Sequence, residues 1–177
     1  MLSRRDFAGA LGAAVVVAAR AGGAETGRLM PTEDGLYREP WFLESFLDLA
    51  DDLETAGKSG KRLAVMWELR GCPACREIHL INFARPDIAR FVSKHFAILQ
   101  LNIVGSRKVT DFDNSQLWEK RLAAKYGVTG TPTLQFFPRR VTGLSTAAVD
   151  QREVARMEGY LQPDEFLAMF HSLARAA

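Results

Sequence analysis

With 177 residues, 47% of them apolar and 25% charged, the chain holds enough material for one packed domain and too little for two. That balance excludes disordered and fibrous classes. The formal charge of +2 rests on 23 basic and 21 acidic residues, and the whole excess sits at the start of the chain.

Ser3-Arg4-Arg5-Asp6-Phe7 is a charged opening, and Ala8 to Ala19 is an uncharged stretch followed by small residues through Ala24. This layout predicts an export signal peptide over 1–24, because the apolar run falls short of the roughly 20 residues that a spanning helix needs. Adjacent arginines ahead of the apolar run resemble a twin-arginine signal, with an ordinary Sec signal or an uncleaved anchor as the plain alternatives. Cleavage after Ala21 or Ala24 would release a domain into the periplasm. Removing residues 1–24 takes away Arg4, Arg5, Arg20 and Asp6 and leaves 20 residues of each sign. A neutral mature domain gives no reason to expect nucleic acid as a partner, or stable membrane insertion after cleavage.

Residues 25–40 mix Gly, Pro and charge and read as a surface arm ahead of a domain over 41–177. A helix is expected from Trp41 to Gly57, with Phe42, Phe46, Leu49 and Leu53 on one stripe. Arg62 to Glu68 has β character. The cysteine pair then opens a helix through about Asn82, and Pro86 starts another through His95. Phe96 to Val104 reads as a strand covered on both faces. Gly105 to Ser115 is polar and turn-rich, either a partner-facing loop or a solvated insertion. Gln116 to Tyr126 is expected to be helical, Thr133–Phe137 and Val154–Tyr160 to be strands, and Pro163 to begin a last helix. This order predicts an α/β fold with parallel strands joined by crossover helices, followed by an antiparallel pair.

Only two cysteines occur, in Cys72-Pro73-Ala74-Cys75. A bridge between them closes a tiny loop and staples nothing distant, which points to redox chemistry. Metal binding remains an alternative, since two thiols make half of a zinc site and His79, one turn on, would add a third ligand for copper or zinc. The other reading of His79 is an exposed helix histidine. With Cys72 as N-cap and Pro73 in the first helical position, the Cys75 N–H and the helix dipole both favour a Cys72 thiolate. Cys72 is then the nucleophile and Cys75 the buried resolving thiol. Arg70 and Arg76 flank the pair and either support the anion or are simply solvated. Glu68, at the end of its strand, shares a face with Met66.

Gly71-Cys72-Pro73-Ala74-Cys75, followed about fifty residues later by Tyr126-Gly127-Val128-Thr129-Gly130-Thr131-Pro132-Thr133, resembles the thioredoxin family. The resemblance implies a thioredoxin fold, a central mixed sheet flanked by helices. It also implies a cis Pro132 beside the cysteines and a Thr131 backbone that meets substrate. A narrower similarity is to SoxW-like periplasmic thioredoxins of sulfur-oxidation systems. It rests on Val109-Thr110-Asp111-Phe112-Asp113 and on Glu153-Val154-Ala155-Arg156-Met157-Glu158-Gly159-Tyr160-Leu161. Two positions depart from the family: Met66 stands where a buried acid is usual, and Gly71 where a tryptophan is usual. The resemblance then makes Glu68, on the face of Met66, the candidate proton acceptor for Cys75, or else a solvated strand-end carboxylate. The implied activity is thiol–disulfide exchange with an exported protein that carries a disulfide or reactive cysteine. No cofactor is expected, and a membrane electron donor would recharge the pair. Reduction is the favoured direction, with disulfide donation as the alternative.

Overall fold

The computed structural model describes residues 29–175, so the expected signal peptide lies outside the described residues. Among the described residues, six strands and five α-helices follow in chain order: α1 Leu49–Lys58, β1 Arg62–Glu68, α2 Pro73–Glu77, α3 Pro86–His95, β2 Phe96–Asn102, β3 Lys108–Thr110, β4 Gln116–Trp118, α4 Glu119–Lys125, β5 Thr133–Phe136, β6 Ala155–Glu158 and α5 Pro163–Arg175. A π-helical turn over Ile78–Asn82 continues α2 without a break.

The main sheet has the order β2-β1-β5-β6. β1 runs parallel to β2 from Arg62↔Phe96 to Glu68↔Asn102, and antiparallel to β5, which in turn pairs antiparallel with β6. The crossover through α2 and α3 forces the parallel pair, because parallel strands cannot be joined by a hairpin. Helices cover both faces, so β1 is buried along its whole length. Leu63, Val65 and Trp67 face α1 and α4, whereas Ala64 and Met66 face the layer of α3 and α5. Glu68 continues the second series. Among the described residues no helix is long and apolar enough to cross a membrane.

Three stretches differ from the sequence expectation. The chain from Trp41 to Leu47 is not helical; Phe42 is buried on one face of the sheet, Leu49 and Leu53 on the other, and Phe46 is fully exposed. Helix α1 starts only where Asp48 accepts from the N–H groups of Ala50 and Asp51. The polar insert is neither a solvated loop nor a free partner-facing one. It forms the β3–β4 hairpin, with Val109 and Phe112 in the core and Asp111 buried against Tyr126, Lys125 and Arg152. Residues 116–118, expected to be helical, are its second strand. Lastly, the arm ahead of Trp41 is no simple surface segment, because Leu36 and Glu39 are buried.

Candidate active site

β1 delivers the chain to Glu68, and Leu69-Arg70-Gly71 turns it onto α2. Gly71 has φ 76°, a conformation in which a Cβ is strained. The Cys72 N–H donates to the Leu69 carbonyl at 3.1 Å, which fixes Cys72 as N-cap. Pro73 takes the first helical position, where its missing N–H costs nothing. The Cys75 N–H then points back at the Cys72 sulfur, 3.1 Å away.

Cys72 and Cys75 form a disulfide with Cα atoms 5.3 Å apart. The two sulfurs are not equivalent: Cys72 is half-buried, while Cys75 is 4% exposed. Across the site the Thr131–Pro132 peptide is cis, and the Thr131 carbonyl oxygen lies 3.5 Å from the Cys72 sulfur. Pro132 is buried, and its carbonyl accepts from the Gly159 N–H at 2.9 Å. Thr131 thus turns its carbonyl toward the sulfur of the more exposed cysteine.

Glu68 is buried, not solvated. It bonds His79 Nε2 at 3.1 Å and accepts from Gln100 Nε2. His79 is not an exposed helix histidine, because its other ring nitrogen lies 2.9 Å from Glu39 Oε1 and the ring is buried. With both nitrogens held by carboxylates, His79 has none free to complete a site with the two thiols. Among the described residues no group of three His, Cys, Asp or Glu side chains is arranged for a metal ion. Burial alone would push the His79 pKa down, but the hydrogen bonds and charges of Glu39 and Glu68 outweigh it and raise the pKa to about 9.

The two flanking arginines do not do the same thing. Arg70 is spent on the arm: Nε donates to the Asp34 carbonyl at 3.0 Å and Nη2 to that of Glu33 at 2.9 Å. Arg76 stays exposed at the rim of a cleft of about 360 Å³ that opens onto both cysteines. Pro31, Leu36 and Tyr37 of the arm form the far wall of this cleft. Glu39, Tyr37 and Gln100 were not legible as site residues. Glu39 reaches His79, Gln100 reaches Glu68, and the Tyr37 carbonyl reaches Gln100 only through chain folding, and no local spacing links them to the cysteine motif.

A four-stranded mixed sheet that presents a Cys-x-x-Cys disulfide at a helix start, beside a cis-proline, defines the thiol–disulfide oxidoreductase class. The chain belongs to the Thioredoxin-like domain family, whose match spans residues 49–174. Among solved structures it is similar to a thioredoxin from Thermus thermophilus, at 22% identity and TM-score 0.52 over 72% of this chain and 85% of that one. It is also similar to a thioredoxin-fold protein from Helicobacter pylori, at 18% identity and TM-score 0.52 over 71% and 79% of the respective chains. At these identities the likeness concerns the fold. No curated protein matches the sequence.

Proposed function

We propose that the protein is an exported thiol–disulfide oxidoreductase that reduces disulfides in other exported proteins, sulfur-oxidation components among them. The observation that carries the reading is the asymmetry of the pair: a half-buried Cys72 sulfur receives the Cys75 N–H at a helix start, while Cys75 is buried. In the reduced protein that N–H and the helix dipole favour the Cys72 thiolate. The thiolate attacks a substrate disulfide, one substrate sulfur leaves as a thiolate, and a mixed disulfide remains. Cys75 then gives its proton to Glu68 and attacks the Cys72 sulfur, which releases the second substrate thiolate and closes the protein disulfide. The backbone at Thr131 and the cleft beside Arg76 receive the substrate chain.

The signal-like residues 1–24 support export, and the absence of a histidine between the cysteines supports the reducing direction. A periplasmic protein of this kind needs a dithiol donor linked to the membrane to return its pair to the dithiol state.

The test is to express Cys75→Ser, block thiols, and identify exported proteins released from it by reductant. One or a few trapped partners, together with insulin reduction by the wild type, are expected. Equal trapping by Cys72→Ser would overturn the roles. A wild-type pair with a potential above about −160 mV would make the protein a disulfide donor instead.

A further inference from the structure

Glu68 precedes Cys72 by four residues and His79 follows Cys75 by four, so their 3.1 Å bond closes the base of the loop that carries both cysteines. Glu39 adds a second carboxylate from outside the sheet, from the stretch that leads into Trp41. Gln100 of β2 donates to both Glu68 and the Tyr37 carbonyl, which ties the arm to the same carboxylate. Glu39, Glu68, His79 and Gln100 are each at most 9% exposed, and the rings of Tyr37, Phe42 and Phe83 pack around the imidazole. The titratable groups facing His79 are Tyr37 and Glu39 from the arm and Glu68 from β1; Cys75 stands four residues earlier on the same helical stretch.

An imidazole with a carboxylate at each nitrogen is a donor at both ends and hence a cation, in keeping with its raised pKa. One cation between two carboxylates leaves one net negative charge in a largely buried site. Such a charge is costly at low dielectric.

We propose that Glu39 and His79 are positioning residues for Glu68, and that the three form a buried relay whose net charge sets how readily Glu68 takes the Cys75 proton. The proposal rests on the reading of Glu68 as that acceptor. In the resolving step the Cys75 S–H proton moves to Glu68 and the sulfur electron pair forms the Cys75–Cys72 bond. The Cys72–substrate S–S bond breaks, and the substrate leaves with its electron pair as a thiolate. The relay changes from one net negative charge to none.

The full reduced chain is mixed with dithiobis-nitrobenzoate, a chromogenic disulfide, from about pH 5 to about pH 10. The first equivalent of coloured thiolate reports attack by Cys72 and the second reports resolution by Cys75, so their rates are read as a ratio. Glu39→Gln removes a negative charge and is expected to move the midpoint of the second phase about one pH unit lower, with a roughly tenfold slower plateau. His79→Gln removes the cation and is expected to move it about one unit higher. Glu39→Asp should restore the wild-type midpoint. If His79→Gln does not fold, the direction of the Glu39→Gln shift decides. Midpoints that stay put in both variants, or move together in step with melting temperature, would overturn the relay while Glu68→Gln still loses the second phase. A Glu68→Gln protein that resolves at the wild-type rate would instead remove the acceptor reading itself.

Discussion

Gly35 lies directly under the Arg70 side chain: a Cβ at that position would stand 2.5 Å from Nε and 2.9 Å from Cγ. The same arginine donates to the carbonyls of Glu33 and Asp34, so a residue of the cysteine turn holds the arm against the active site. Gly35 also has φ 77°. Gly35→Ala is therefore expected to release the arm, since a left-handed L-residue costs roughly 1–2 kcal/mol before the clash is counted. Limited proteolysis should show cleavage within 29–40 in the variant and protection in the wild type. Equal protection would mean that Arg70 does not hold the arm.

Stability should fall on the alkaline side of neutrality. His79 has its folded pKa raised from 6.5 to about 9 by its two carboxylates, against the pull of burial. Its contribution is complete below pH 6.5 and is lost as pH rises through about 9, because the unfolded chain releases the proton earlier. The shift corresponds to about 3 kcal/mol. Urea unfolding at intervals across that range should show the decline in the wild type and a flatter curve in His79→Gln. Parallel curves would contradict the imidazolium assignment.

Reduced Cys72 should react with iodoacetamide at neutral pH at least about tenfold faster than Cys75, with a thiolate midpoint below the ~8.5 of a free thiol. The cause is the Cys75 N–H and helix start directed at Cys72, combined with the burial of Cys75. Peptide mapping after brief labelling checks this. Equal labelling of the two cysteines would count against a single nucleophile.

Arg152 spans Asp111 at 2.9 Å and Asp113 at 3.0 Å, and it fastens the hairpin insert to the segment before β6. Asp111 is buried and also binds Lys125 and Tyr126. Arg152→Met should cost about 3–5 kcal/mol, the range for removing one partner of a buried pair. Thermal or urea unfolding would measure it, and a loss below about 1 kcal/mol would show that Lys125 alone balances Asp111.

Local sequence determined the cysteine site, because its geometry is made by neighbours in the chain. Cys72 as N-cap, Pro73 in the first helical position and Gly71 ahead of them leave the Cys75 N–H only one direction to point. Alternation along β1 likewise assigned Glu68 to the face of Met66. The order of apolar runs was enough for the α/β class, since buried parallel strands and amphipathic helices carry different periods. The tertiary structure decided what surrounds that motif. Phe42 and Leu49 suit one helical stripe, yet they serve opposite faces of the sheet, since burial against two cores outweighs helix propensity. The hairpin at 108–118 exists because Val109 and Phe112 find a core there, which short polar-flanked strands do not announce. His79 followed the rule that an isolated helix histidine is solvated until Glu39, 40 residues earlier, closed over it. A buried charge is stable only with partners, and partners that far apart in the chain meet only once the sheet and the arm have packed.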